Sequence, residues 1–391
     1  MARPLGAASR PSFLRAALES RRRADQLRGL TAITPLTGTL VEMAGQALVN
    51  FSSNDYLGLA RHPALIEGAA RYLRRYGVGA TASRLVCGNL DCLPELEARL
   101  ARLKGAEAAL ILNSGYQANV ALIPALVNRR SLVLADRLCH NSLIQGIILS
   151  RAKLVRFRHN DLAHLEELLT RHGQESERML VVSESVFSMD GDRADLDALI
   201  AVSRRHRALL MIDEAHATGV LGPGGMGLGC GKDIDVLMGT FGKGLGSYGA
   251  YVSCSAELRE YLINFCSGLI YSTALPPPVL GAIEAALALA PEMDRERAHL
   301  HRLADGLRQG LRALGLSPGD STTQIVPVIL GDARRALAMS RWLSRHGFLA
   351  TAIRPPTVEP GRARLRLALS ALHTQEQVDR LLAAISSFAN G

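Results

Sequence analysis

From about residue 105 onward, short apolar runs alternate with helix-length amphipathic segments. No other feature of the chain restricts its fold as strongly. AALIL (108–112), SLVLA (131–135), KLVRF (153–157), RMLVVS (178–183), ALLMID (208–213), DVLMGTF (235–241) and AYVSC (250–254) read as strands. The first five are separated by predicted helices at 117–127, 141–150, 162–172 and 196–206. A helix between consecutive strands returns the chain to the same edge of the sheet. The pattern therefore predicts an α/β domain with a mostly parallel, seven-stranded sheet flanked by helices. In such sheets the functional side chains gather beyond the carboxyl ends of the strands. After Pro291 the pattern changes. A helix at about 294–314, a strand at 324–330, a helix at 333–346, strands near 350–354 and 363–368, and a helix at 375–388 predict a smaller α+β lobe. The expected division is an N-terminal helix and segment packing with the small domain (1–50), a large domain (51–290) and a small C-terminal domain (291–391).

Composition bounds the function. Of 391 residues, 48% are apolar and 21% charged, which suits a large buried core and excludes a disordered chain. Aromatics make up only 4%, which argues against a surface that stacks on nucleic-acid bases. Net charge is 45 minus 36, or +9, suiting an ordinary basic protein or one that attracts anionic coenzyme A or an acidic carrier protein. The six cysteines show neither a CxxC pair nor zinc-site spacing, so buried, reduced thiols and a cytoplasmic location are expected. No apolar run is long enough to span a bilayer. The N-terminus lacks a secretory pattern and reads as an arginine-rich amphipathic helix with Phe13, Leu14, Leu18 and Leu27 on its apolar face.

The stretch TFGKGLGSYG (240–249) sets Lys243 among four glycines. GLGSYG (244–249) and GPGGMG (222–227) match the dinucleotide fingerprint, but a helix must open on the last glycine, and AYVSC and LGCGKDI follow instead. A phosphate loop fails as well, because Gly244 follows the lysine and Leu237 stands where the first glycine belongs. There remains a lysine that does covalent chemistry, given clearance by glycine and made nucleophilic by burial or cationic neighbours.

A pyridoxal-phosphate cofactor would impose three further needs: a carboxylate at the ring nitrogen, amides at a helix start for the phosphate, and a partner for the ring face. Asp213 ends an apolar strand, and His216 follows three residues later within reach of a phenolic oxygen. Ser114, Gly115 and Tyr116 stand at a strand-to-helix turn. His140 lies just past a strand, and Ser188 is placed at the end of the next. Singly, each has a plain structural alternative as a cap, a turn residue or a solvated side chain. Together they fall at one edge of the predicted sheet.

NFSSNDYLGL (50–59), HNSLIQG (140–146), ESVFSMDGD (184–192), DEAHATGVLG (213–222), TFGKGLGSYGA (240–250), IYSTALPP (270–277) and AIRPPTVEPGRARLRLALSALH (352–373) together resemble the α-oxoamine synthases, which are fold type I pyridoxal-phosphate transferases. The resemblance runs from about residue 10 to the end. It implies that Lys243 carries pyridoxal 5'-phosphate covalently, Asp213 pairs with the pyridine nitrogen, His216 and Ser188 contact the phenolic oxygen, and His140 stacks on the ring. Gly115, Tyr116 and Thr240 would help hold the cofactor. Ser272 and Thr273 would reach the phosphate of a neighbouring subunit in a homodimer with shared sites. Arg366 would bind the amino-acid carboxylate, with Arg28, Asn54 and Thr357 lining the substrate pocket. The segments AIRPPTV and RLRLALS point to a member that condenses L-alanine with a pimeloyl thioester, on coenzyme A or an acyl carrier protein, with loss of carbon dioxide.

Overall fold

The computed structural model describes residues 12–173 and 176–389; the first eleven residues of the expected N-terminal segment lie outside them. Three short strands come first, β1 (Thr34–Pro35), β2 (Leu40–Met43) and β3 (Gln46–Asn50). Seven follow: β4 (Ala108–Leu112), β5 (Leu132–Asp136), β6 (Lys153–Phe157), β7 (Met179–Glu184), β8 (Leu209–Asp213), β9 (Val236–Thr240) and β10 (Ala250–Cys254). The last four are β11 (Ile325–Gly331), β12 (Phe348–Leu349), β13 (Thr351–Ile353) and β14 (Ala363–Ala368).

The central sheet has the order β4-β10-β9-β8-β7-β5-β6. Its strands are parallel apart from β10, which runs antiparallel to both β4 and β9. The exception follows from chain length. Only residues 241–249 join β9 to β10, too few for a crossover helix, so the chain must turn straight back. The parallel strands are apolar at nearly every position because both faces are covered. Val133, Val182 and Met211 pack on one side with Leu122 and Ile147 of the helices Gly115–Leu126 and Asn141–Ser150. Leu134, Val181 and Leu210 pack on the other with Leu165 and Leu199 of Leu162–His172 and Leu196–Arg205.

Two parts of the observed fold differ from expectation. The predicted strand near 350–354 is present as β13, in a three-stranded antiparallel sheet with β14 and β11, but a further two-residue strand just before it, β12, pairs in parallel with β3. The β2–β3 hairpin was not foreseen. Its two-residue turn, Ala44-Gly45, holds both residues at positive φ, where glycine or asparagine is the usual signal and alanine hides it. Val49 and Phe51 then join Ile325, Leu365 and Leu367 in one core cluster, which also takes Val186 and Val220 from the central-sheet region.

The N-terminal helix, Ser12–Arg23, stops short of Leu27, and Phe13, Leu14 and Leu18 are exposed on it. All six cysteines are free, but Cys87 is exposed rather than buried as expected. Among the described residues, no helix is long and apolar enough to cross a membrane, and no group of metal-binding side chains occurs.

One buried ion pair supports the floor of the sheet. Lys104 Nζ lies 2.6 Å from Glu214 Oε2 and also donates to the Met226 carbonyl. Gly229 N donates to the other oxygen of Glu214 at 2.7 Å. Gly227 packs against the same carboxylate, leaving no room for a Cβ. Glu214 follows Asp213 directly, so the pair anchors the turn that leaves β8. Removing one partner of a buried pair strands the other charge, at a cost of about 3–5 kcal/mol. Lys104→Met should lower the urea midpoint strongly, and adding Glu214→Gln should restore much of the loss. A Lys104→Met protein as stable as the parent would contradict this anchoring role.

Candidate active site

β7, β8 and β9 end side by side at Glu184, Asp213 and Thr240, with Glu184 opposite Asp213 in register. A cavity of about 200 Å³ opens there. It is lined by Gly115, Tyr116, His140, Asp213, His216, Thr240 and Lys243, seven of the residues expected from the sequence. Asn119, Ser142 and Glu184 also line it and were not foreseen. A larger cavity, about 560 Å³, lies by the opposite ends of β8 and β9. Several of its charged groups are in ion pairs: Lys104 with Glu214, Lys232 with Asp197, and Asp233 and Asp235 with Arg204. It gathers no catalytic set, so the smaller cavity is the candidate site.

The chain has four lysines, Lys104, Lys153, Lys232 and Lys243. Lys243 is half-buried, and among the described residues it makes no ion pair. Its Nζ lies 2.8 Å from His216 Nε2. His216 Nδ1 lies 2.6 Å from the Tyr56 hydroxyl, which donates to Asn54 Oδ1 at 3.0 Å. The Tyr56 hydroxyl has one proton to give; where Asn54 takes it, His216 donates from Nδ1 and its Nε2 accepts from the Lys243 amine. Burial holds His216 well below the ordinary imidazole range, assisted by the charges of Lys243 and Arg366, so the ring is neutral. Burial also pulls Lys243 down to about 8; Asp213 and Glu184 oppose the shift and Arg366 assists it.

The glycines around Lys243 serve backbone packing more than clearance for a ligand. A Cβ on Gly244 would meet the Thr218 carbonyl at 2.5 Å, and one on Gly246 would meet Ala60 N at 2.5 Å. Gly246 also takes φ +63°. The loop can carry Lys243 back over the sheet end only because its backbone touches those segments directly.

Asp213 is held from two sides. Asn119 Nδ2 donates to Oδ2 at 2.9 Å, and Ala215 N donates to Oδ1 at 2.8 Å. Asn119 Nδ2 also reaches Ser142 Oγ at 2.9 Å, and that hydroxyl is 2.7 Å from His140 Nδ1. His140 caps the helix Asn141–Ser150, and its backbone amide donates to Glu184. Burial raises the Glu184 carboxyl well above the usual range, with the Asp213 charge adding to the effect. Burial likewise lowers the pKa of His140. Sequence inspection put Ser188 at the strand end. The strand stops four residues earlier, at Glu184, which ends an apolar run just as Asp213 does and so carried the same signal.

At the third corner the helix Gly115–Leu126 begins, its end capped by Ser114 Oγ accepting from Gln117 N at 3.3 Å. The first amides of a helix have no internal partners and favour an anion. A Cβ on Gly115 would meet nothing closer than Thr240 Cβ at 3.9 Å, so this approach is open. The donor set of amine, carboxylate, neutral imidazoles and helix-start amides fits an aldehyde-bearing, phosphorylated pyridine.

The remaining expected residues lie outside this lining. Arg366, buried in β14, donates from Nε to the Ser188 carbonyl at 2.6 Å and from Nη1 to Asn54 Oδ1 at 3.0 Å. It joins the His216 chain through the Tyr56 hydroxyl, 3.4 Å away. Arg28 Nη2 donates to Thr357 Oγ1 at 2.9 Å, bringing those two residues together at an exposed position. Ser272 Oγ accepts from Gln117 Nε2 at 2.6 Å, and the Thr273 carbonyl accepts from Asn113 Nδ2 at 2.7 Å. Tyr56 was missed as a site residue although its segment was noticed, because its partner His216 is 160 residues away.

Comparison with known proteins places this geometry. The aminotransferase class I and II family matches residues 46–385. A protein of Desulfosudis oleivorans provisionally named 8-amino-7-oxononanoate synthase is 55% identical over 381 residues, spanning 97% of this chain and 99% of its own. The 8-amino-7-oxononanoate synthase of Gluconacetobacter diazotrophicus is 51% identical over 385 residues, spanning 96% and 97%. A solved serine palmitoyltransferase carrying pyridoxal phosphate superposes with a TM-score of 0.90 at 28% identity, covering 97% of each chain. The chain belongs to the aminotransferase class I and II family of pyridoxal-phosphate enzymes, among its 8-amino-7-oxononanoate synthases.

Proposed function

We propose that this enzyme condenses L-alanine with a pimeloyl thioester, on coenzyme A or an acyl carrier protein, to give 8-amino-7-oxononanoate, carbon dioxide and the free thiol, a step of biotin biosynthesis. The observation that carries the proposal is the meeting of the Lys243 amine, the Asp213 carboxylate and the His140 and His216 imidazoles in one cavity. Arg366 is tied to that cavity through Asn54 and Tyr56.

When bound, pyridoxal phosphate supplies the electron sink for negative charge at the substrate α-carbon. Lys243 would hold it covalently, Asp213 would pair with its ring nitrogen, and His140 would stack on its ring. Gly115, Tyr116 and Thr240 would help hold it, and His216 and Ser188 would contact its phenolic oxygen. Arg366 would bind the alanine carboxylate through a charge-assisted fork. The Lys243 amine, beside His216 Nε2, would be the base that removes the α-proton of alanine. A base so placed contributes about 10²–10⁴-fold.

The active form is proposed to be a homodimer in the cytoplasm, with Ser272 and Thr273 reaching the partner's cofactor phosphate. The exposed aromatic rings of Tyr116, Tyr248 and Tyr271 support such a contact. The division near residues 50 and 290 belongs to the same proposal, supported by the β3–β12 pairing. A sister reaction on serine or glycine is the alternative, favoured by the superposition on serine palmitoyltransferase.

Mixing the enzyme with L-alanine and a pimeloyl thioester should yield 8-amino-7-oxononanoate by mass, and Lys243→Ala should abolish it. Product from serine or glycine in place of alanine would assign the sister reaction, and full turnover by Lys243→Ala would exclude the lysine. The lowered pKa of Lys243 leaves more free amine near neutrality. Covalent capture of pyridoxal phosphate by the apoprotein, trapped with cyanoborohydride, should therefore rise with pH and level off near 8. A rise that continues toward the ordinary lysine value of about 10.4 would contradict the effect of burial.

A further inference from the structure

His159, in the loop after β6, sits between two carboxylates from different elements. Its Nδ1 lies 3.0 and 3.1 Å from the two oxygens of Asp136, the last residue of β5. Its Nε2 lies 2.8 Å from Asp192 Oδ2, in the loop after β7. Asp136 and Asp192 are both buried, and the His159 ring stands edge-on to Phe187 at 4.4 Å. Carboxylates at both nitrogens require a hydrogen on each, so the geometry makes the ring an imidazolium. Burial works against that charge, but hydrogen bonds from Asp136 and Asp192 outweigh it and push the His159 pKa up to about 10. Asn160 supports the same grip, donating from N to Asp136 at 2.9 Å and from Nδ2 to Asp192 at 2.9 Å.

The gripped loop leads to the substrate arginine. Its backbone closes on itself through Phe187 N to the Asp192 carbonyl and Gly191 N to the Phe187 carbonyl. Within it, the Ser188 carbonyl accepts from Arg366 Nε, and Met189 and Asp190 accept from Arg364. Arg364 and Arg366 are both on β14, two residues apart on the same face. The loop is therefore a bracket between the central sheet and the strand that presents Arg366.

We propose that His159 is a positioning residue: held by Asp136 and Asp192, it sets the 186–193 loop, and through the Ser188 carbonyl it aims the Arg366 guanidinium at the amino-acid carboxylate. The inference rests on the role proposed above for Arg366. His159 does not touch the cavity, so its effect should appear in the affinity for the amino acid and not in the handling of the acyl donor.

The test is steady-state kinetics of the holoenzyme with His159→Gln and, as a milder change, Asp192→Asn. Loosening the loop whose Ser188 carbonyl holds Arg366 should raise the KM for L-alanine by about tenfold in His159→Gln. The rise should be smaller in Asp192→Asn, and kcat and the KM for the pimeloyl thioester should stay within about twofold. Unchanged alanine KM in both variants, or an equal rise in both KM values, would overturn the proposal. Amide hydrogen exchange of the same holoenzymes gives a second readout independent of substrate: exchange over 186–193 should quicken in both variants. If the parent enzyme fails to use L-alanine but the loop still loosens, the assigned reaction fails and the bracket stands. If the loop exchange does not change, the bracket itself fails.

Discussion

Everything at this site depends on one half-buried amine whose hydrogen-bond partner among the described residues is a neutral imidazole. A lysine placed against a carboxylate, as Lys104 is against Glu214, stays charged and inert. Lys243 is placed differently. Burial disfavours its ammonium form, while Asp213 and Glu184 stand near enough to temper the shift without forming an ion pair. The neutrality of His216 is part of the same arrangement. A protonated ring there would repel the amine and leave it no acceptor, and the Tyr56 hydroxyl holds the other ring nitrogen at 2.6 Å.

The fold supplies that placement cheaply. Parallel strands ending side by side bring Glu184 and Asp213 into register, with Met238 beside Asp213 and Thr240 two residues beyond, and the short return from β9 to β10 brings Lys243 back over them. The return is too short for a helix and must pass close to residues 59–60 and 218–219, so glycine is required where the backbones touch. A feature that looks like provision for a cofactor is thus first a condition for closing the sheet. The small C-terminal sheet adds Arg366 from the other side, and the Ser188 carbonyl ties the two halves together.

Much of this was legible in the sequence, for identifiable reasons. Strands buried on both faces appear as continuous apolar runs, and polar residues that break such runs at their carboxyl ends mark the site. This is why Asp213, His140, Gly115 and Lys243 could be picked out. Glu184 ends β7 in the same way but was passed over, because Ser188 was placed at that strand end; its pairing with Asp213 across the sheet shows its position. Tyr56 and Asn119 were hidden because their partners His216 and Asp213 are remote in sequence. The β2–β3 hairpin was masked by an alanine in a left-handed conformation. Expectations about a second subunit concern contacts that a single chain does not contain.

The central claim is that Lys243, of the four lysines, is the amine that shares a cavity with Asp213, where burial disfavours its ammonium form. Borohydride reduction of the pyridoxal-phosphate-loaded protein, followed by peptide mass mapping, tests it directly. The account predicts a single pyridoxyl adduct on the peptide that contains Lys243. An adduct on Lys104, Lys153 or Lys232 instead, or no adduct on a protein saturated with the cofactor, would contradict it.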